Sequence, residues 1–380
     1  MTTPSVVSYD ATPRGATVVG AAAAALRAVR PQHTVHDAKR LIGRTADDPV
    51  VQAEAAHLPF AVVPDARGFA AIALPHAGGG APPPPVTPEA VGAALLRHLK
   101  SAAERSKPLR HALGFRFGSA TISVPVAFST RQRAATLAAG RAAGFRLVRL
   151  LDEPVAAALA YGLTRADKER TVLVYDMGGG TLDVAILRLE LASRTFLVMA
   201  AAGDPHLGGE DFDRALAVRL PRCAAALRLV VPSSEPCIYV LRAALQAWAR
   251  EAAPDRVGDA HDAGSNAALL VACEAAKRAL GTGTEAPLAL PFGGELTLTR
   301  AAADAAVAPL LERALQPVDA ALREAGLGAD DVDDVVLVGG ATRLEALRER
   351  VGVAFHGRAL HTEVDPDTAI AVGAARAYNC

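Results

Sequence analysis

Apolar runs of four or five residues, too short for a packed helix and rich in β-branched side chains, recur along the chain. They lie at Ala120–Val124, Leu147–Leu151, Val172–Tyr175, Val184–Leu187 and Val335–Val338, and each predicts a strand. Helix-start signals fall between them. Ser129 followed by Gln132 is a capping-box pair that opens a helix through about Ala143. Pro154 is placed as the first residue of another helix, directly after the Leu147–Leu151 strand, and Thr87-Pro88-Glu89 caps a third. Val335–Val338 runs into Gly339-Gly340 and then a helix from about Leu344. Strands and helices in alternating blocks predict an α/β architecture. Ala16–Leu26 is apolar but shorter than the ~18 residues a membrane span needs, and it lacks the basic n-region of a signal peptide.

The most informative pairing is Val172–Tyr175 with Val184–Leu187, which flank Asp176-Met177-Gly178-Gly179-Gly180-Thr181-Leu182-Asp183. Three glycines in a row leave a turn with no Cβ, so backbone N–H groups are able to converge on phosphate oxygens. Asp176 ends the first arm, where a carboxylate suits a hard cation or its waters, and Thr181 offers a hydroxyl and an N–H. A plain hairpin with a glycine loop is the bland alternative for this stretch taken alone. Asp183 reads equally as support for the hairpin or as a ligand. Glu153 stands at a strand-to-helix corner, the rim position from which side chains of α/β folds reach ligands. Alone, it reads equally as a charge that favours a helix N-terminus. Lys39 beside Arg40 reads alone as a solvated basic pair, and Glu274 with Lys277 as a surface i, i+3 pair.

Composition narrows the picture. The 380 residues are 51% hydrophobic and 21% charged, enough for a sizeable core and two or three domains. Forty basic residues balance forty acidic ones, so no net charge marks nucleic acid or an anionic membrane as a partner. Cys223, Cys237, Cys273 and Cys380 form no C-x-x-C pair, which argues against a zinc knot or a disulfide scaffold and for a reducing compartment. Cys273 reads as a small core residue. Pro75–Pro85 is a Pro/Gly loop or linker. The stretch from about 221 to 265, interrupted by Pro232, Pro236 and Pro254 and carrying the only tryptophan, Trp248, reads as an insertion.

The motifs come in a recognisable order: Asp37-Ala-Lys39-Arg-Leu-Ile-Gly43, Asp152-Glu153-Pro, the Asp176 hairpin, Ala202-Gly203-Asp-Pro-His-Leu-Gly208-Gly209-Glu-Asp-Phe-Asp213, Cys273-Glu274-Ala-Ala-Lys277-Arg278, Gly339-Gly340-Ala-Thr-Arg343 and Asp365-Pro-Asp367. This series, from about Thr3 to Tyr378, closely resembles the nucleotide-binding domain of the seventy-kilodalton heat-shock chaperone family. The resemblance implies an actin-like (ribonuclease H-like) ATPase fold, with one lobe of residues 1–165 and 362–380 and another of 166–361 around a nucleotide cleft. It implies ATP or ADP with Mg²⁺ as ligands. Gly178, Gly179, Gly180 and Thr181 would hold phosphates, with Gly208 and Gly209 nearby, and Asp176 and Asp367 would hold the metal through its waters. Lys39 and Glu153, together with Asp176 and Thr181, would carry catalysis. Glu274, Lys277 and Arg278 would clamp ribose and adenine from one side, and Gly339, Gly340 and Arg343 from the other. Ala16–Leu26 would be an amphipathic helix ahead of Lys39, J-domain co-chaperones and nucleotide-exchange factors would be partners, and the cytoplasm the location.

Departures from the family are also visible. Gly281 and Ala341 stand where the family usually has serines near the nucleoside. Nothing upstream of Lys39 reads as strand, Gly-Thr turn, strand, so the first lobe is expected to lack its initial phosphate hairpin. With Cys380 at the end of the resemblance, no client-peptide site is expected in this chain. ATP hydrolysis linked to protein folding is the leading reading. The alternatives are a non-catalytic nucleotide-sensing or co-chaperone-binding adaptor and an inactive truncated product.

Overall fold

The computed structural model describes residues 2–9, 17–27, 29–75, 83–106, 114, 116–165, 167–219, 228–230, 263–289 and 295–377. The chain divides into two compact units, Met1–Glu153 with Ala374–Cys380, and Pro154–Gly373.

In the first unit, β1 (Val7–Ser8), β2 (Val18–Val19) and β3 (Thr34–Val35) form an antiparallel sheet in the order β2-β1-β3. The strands β4 (Ala61–Pro64) and β5 (Ala70–Ala73) make a hairpin, and β6 (Ser119–Val124) pairs parallel with β7 (Leu147–Asp152). Helices α1 (Ala21–Ala24), α2 (Ala38–Leu41), α3 (Pro49–Ala55), α4 (Pro88–Arg105) and α5 (Thr130–Ala142) complete it. Val7, Val35, Leu41, Val51, Phe60, Ile72 and Val91 share one core. The expected starts are present: Thr87 Oγ1 accepts from Ala90 N, and Ser129 and Gln132 exchange both bonds of a capping box. Residues 76–82 of the Pro/Gly stretch lie outside the described residues.

The helix expected over Ala16–Leu26 is corrected. Val18–Val19 is a strand paired with β1, and only Ala21–Ala24 is helical. Two β-branched residues fit a strand better than a helix, and Gly20 between them and the helix sits at φ 78°, which ends one element before the other begins.

The second unit opens with α6 (Glu153–Ala160), whose first residue belongs to the first unit; Pro154 lies in its first turn. A mixed five-stranded sheet follows, in the order β10-β9-β8-β14-β15, from β8 (Thr171–Met177), β9 (Leu182–Glu190), β10 (Thr195–Asp204), β14 (Asp334–Val338) and β15 (Leu360–His361). A smaller sheet holds β11 (Arg228–Val230), β12 (Glu285–Ala289) and β13 (Glu295–Thr299), in the order β11-β13-β12. The helices are α7 (Gly209–Arg219), α8 (Ala263–Leu280), α9 (Arg300–Arg313), α10 (Gln316–Ala325), α11 (Glu345–Ala354) and α12 (Ala369–Arg376), whose last three residues belong to the first unit. Apart from β11 and the start of α8, the 221–265 stretch lies outside the described residues, as does Trp248. Among the described residues no helix is long and apolar enough to cross a membrane.

Both faces of β8 are covered, as its continuous apolar run requires. Leu173, Tyr175 and Met177 point into a core with Phe212, Cys273, Leu288 and Leu337, whereas Val172 and Val174 face Ala157, Ala160 and Val338. Cys273 is buried as expected, and that burial pushes its thiol up to about 12. At the far end from the glycine turn, Asp334 fastens three strands. Arg170 Nη1 donates to both its oxygens at 3.0 and 2.8 Å, and His361 Nε2 lies 2.8 Å from Oδ1.

Replacing Asp334 by Ala leaves half-buried Arg170 without its carboxylate, a loss of about 2–4 kcal/mol in urea unfolding. The exposed Asp330→Ala variant should leave the midpoint in place.

Candidate functional site

The register Asp176↔Asp183 and Met177↔Leu182 between β8 and β9 makes Gly178–Thr181 the closing turn of the hairpin. Gly178 N donates to Thr181 O at 3.0 Å. The start of α7 docks on this turn, with Gly209 N donating to Gly178 O at 2.9 Å and Glu210 N to Gly179 O at 2.8 Å. Helix starts carry N–H groups without intrahelical partners, and here two of them fasten the turn. Gly208 permits the approach: a Cβ at this position would stand 2.4 Å from Gly180 N.

A cleft of about 830 Å³ opens beside the turn, lined wholly by the second unit. Asp176, Gly178 and Gly179 form one part, with Gly209, Glu210 and Asp213 of α7. Glu274, Lys277 and Arg278 of α8 continue into Gly281 and Thr282, and the segment Gly339–Leu344 closes it with Arg348, Pro366, Asp367 and Ile370. The candidates named from the sequence in this unit thus meet here, except Gly180, Thr181 and Gly208, which are not among the lining residues.

Gly339, at φ 83°, follows β14 so closely behind β8 that a Cβ would lie 2.2 Å from Met177 O and 2.7 Å from Asp176 Oδ1. A Cβ on Gly340 would stand 2.7 Å from Asp367 Oδ1. Asp176 and Asp367 therefore both rest on the same bare glycine backbone. Two such carboxylates suit a hard cation that keeps most of its water, and no group of three or more metal-capable side chains occurs among the described residues. Asp367 is oriented by Arg343 at 3.1 Å, which also pairs with Asp365 at 2.6 Å.

On α8, Lys277 does not pair with Glu274. It donates to Gly209 O at 2.7 Å and to Asp213 Oδ2 at 2.8 Å, fastening α8 to α7. Burial raises the Asp213 carboxyl above its ordinary range, with Lys277 opposing the shift. Its Oδ1 is buried without a hydrogen-bond partner. Glu274 pairs with Arg278 at 2.7 Å, one turn along the exposed face. Gly281 and Ala341 line the cleft without a hydroxyl. Sequence reasoning assigned no role to Asp213, Thr282, Arg348 or Ile370. Asp213 stood inside a quoted motif, but its lysine partner is 64 residues away.

Lys39 and Glu153 lie in the first unit. Asp37, in the left-handed region at φ 54°, starts the short helix that carries Lys39. His36 Nδ1 is 2.7 Å from Asp37 Oδ2, and this hydrogen bond holds the Asp37 carboxyl below its usual range. Lys39 Nζ donates to Glu153 Oε1 at 2.7 Å. Lys39 is exposed and Glu153 largely covered at the end of β7. The basic pair therefore has a specific carboxylate partner 114 residues away.

The sequence model of the family described as Hsp70 protein matches residues 1–222 and 251–378. The unmatched interval lies within the stretch read as an insertion. The chain is 36% identical over 381 residues to a heat shock protein of Pyricularia oryzae, covering 98% of this chain and 55% of that protein. It is 37% identical over 385 residues to a heat shock cognate HSP70 protein of Trypanosoma brucei brucei, at 98% and 51% coverage. It is 36% identical over 380 residues to a heat shock 70 kDa protein of Neurospora crassa, at 98% and 52%. The chain spans about half the length of the curated relatives it matches.

Lys277→Met, which strands the buried Asp213, should lower unfolding stability by about 3 kcal/mol. Adding Asp213→Leu should recover most of that loss, because the uncompensated charge is then gone. A single variant as stable as the parent would show that the pair does not hold α8 to α7.

Proposed function

Because the chain belongs to the Hsp70 family and has its actin-like ATPase fold, we propose that it binds ATP and ADP in the cleft of the 154–373 unit and hydrolyses ATP. The observation that carries this reading is the meeting of the glycine turn, the Gly339–Gly340 pair and α8 around one cavity.

In this reading the backbone of Gly179 and Gly180 and the Thr181 hydroxyl hold the terminal phosphates. Asp176 and Asp367 hold Mg²⁺ through its waters, and the ion, when bound, neutralises phosphate charge. Lys277 directs two of its three N–H donors to Gly209 O and Asp213, leaving one for a ribose hydroxyl. Glu274 and Arg278 flank the nucleoside on that side. Gly340 and Arg343 flank it on the other, where a planar guanidinium stacks well on a base. Lys39 and Glu153 of the first unit, held together by their mutual hydrogen bond, are the catalytic pair of this reading. Catalysis of this kind is mainly positioning and charge stabilisation. J-domain and nucleotide-exchange co-chaperones, and a part in protein folding in the cytoplasm, belong to the same proposal.

Calorimetric titration of the chain with magnesium-ATP should give micromolar or tighter binding. Lys39→Ala and Glu153→Gln should each cut turnover by at least about 100-fold, with Kd within about threefold of the parent. Turnover that survives both changes would overturn the assignment of the Lys39–Glu153 pair.

A further inference from the structure

The first unit carries a cavity of its own, of about 240 Å³, lined by Arg27, Pro31, Thr34, His36, His57 and Pro59. Four local pieces build it: the stretch after α1, the turn Pro31–His33, the junction of β3 with α2, and the loop between α3 and β4. Its charged or titratable side chains are one guanidinium and two imidazoles, and among the described residues no carboxylate lines it. Thr34 Oγ1 is already committed, donating to Arg30 O at 2.8 Å.

The His36 ring is held on two sides. Its Nδ1 lies 2.7 Å from Asp37 Oδ2, and because a carboxylate only accepts, Nδ1 carries the proton. Phe60 packs edge-to-face against the ring at 5.7 Å. Nε2 is then the atom that meets Arg27, whose Nη2 is 3.5 Å away. Neutral, Nε2 accepts from that guanidinium; protonated, it becomes a second donor beside a cation. The surrounding charges leave nothing to answer it. Asp37 already feels both His36 and Arg27, Arg40 pairs with Glu54, and His33 Nε2 lies 3.3 Å from Pro75 O. The exposed His57 adds a second imidazole to the same wall. Arg27 and Asp37 balance while both imidazoles are neutral, and each proton taken up adds a positive charge with no carboxylate on the lining. We propose that this cavity binds a phosphate group, as the free ion or an ester, between Arg27, His36 and His57, with uptake of solvent protons by the two imidazoles. A tetrahedral oxyanion offers acceptors to donors on several sides, and such charge-assisted bonds are the strong ones. The volume leaves room for waters beside it, each taking about 30 Å³.

The test is titration of the intact chain with sulfate, followed by the imidazole C–H resonances of His36 and His57, each identified by its loss in His36→Gln or His57→Gln. Sulfate stands in for phosphate because it stays doubly charged between pH 6 and pH 8. Both resonances should move at pH 6, with half-saturation at least about tenfold lower than at pH 8. Arg27→Gln, at an exposed position, should weaken binding at least about tenfold. At pH 6, inorganic phosphate and ribose 5-phosphate then separate the sources: tighter binding of the ester assigns the site to an organic phosphate, tighter binding of the ion to free phosphate. Shifts that chloride reproduces at equal ionic strength overturn the inference, as does equal affinity for sulfate at the two pH values. Resonances that sulfate leaves unmoved at pH 6 overturn it as well. Each outcome leaves the ATP reading standing, since the two histidines report on this cavity alone.

Discussion

The 154–373 unit depends on two places where backbone meets backbone with no side chain between them. Gly208 lies against the Gly179–Gly180 peptide, and Gly339 lies against the carbonyl of Met177. The first contact lets the start of α7 hydrogen-bond to the turn, and the second lets the end of β14 lie beside the end of β8 with Asp176 at its edge. Cleft shape, carboxylate placement and the approach of α8 all follow from these two distances. The sheet supplies the rigidity: β8 is buried on both faces and is fastened at its opposite end by Asp334, so the turn sits on the best-supported strand of the unit.

Charge is handled locally around this frame. Lys277 and Asp213 are the most enclosed pair in the cleft, and their contact is as much a brace between two helices as a binding feature. Arg343 is held by two carboxylates from one short segment, Asp365-Pro366-Asp367. In the other unit, Lys39 and Glu153 make a pair of a different kind, an exposed cation on a largely covered carboxylate. One side of such a pair is open to solvent while the other is held in place, which suits a group that must meet a water molecule.

Much of this was legible in the sequence because it rests on local chemistry. The hairpin at Asp176, the Ser129–Gln132 capping box, the Thr87 cap and the Val335–Val338 strand each follow from residues within one turn or one strand of one another. The order of glycine-marked motifs added the family. What escaped was set by distant partners. The strand Val18–Val19 exists because β1 is there to pair with it, and an alanine-rich run after it hid that in a helical pattern. Lys277 looked like a helix-surface partner of Glu274 because periodicity sees only its own helix.

The glycine contacts also bear on how this chain tolerates genetic change. Every replacement of glycine by another residue adds at least a Cβ, and at Gly208 or Gly339 that atom falls inside another residue's backbone. No graded series of slightly worse variants exists at these two codons, as it does for a core leucine that passes through valine or methionine. Change at them is therefore all-or-nothing: the cleft is kept or lost in a single step, without intermediate variants.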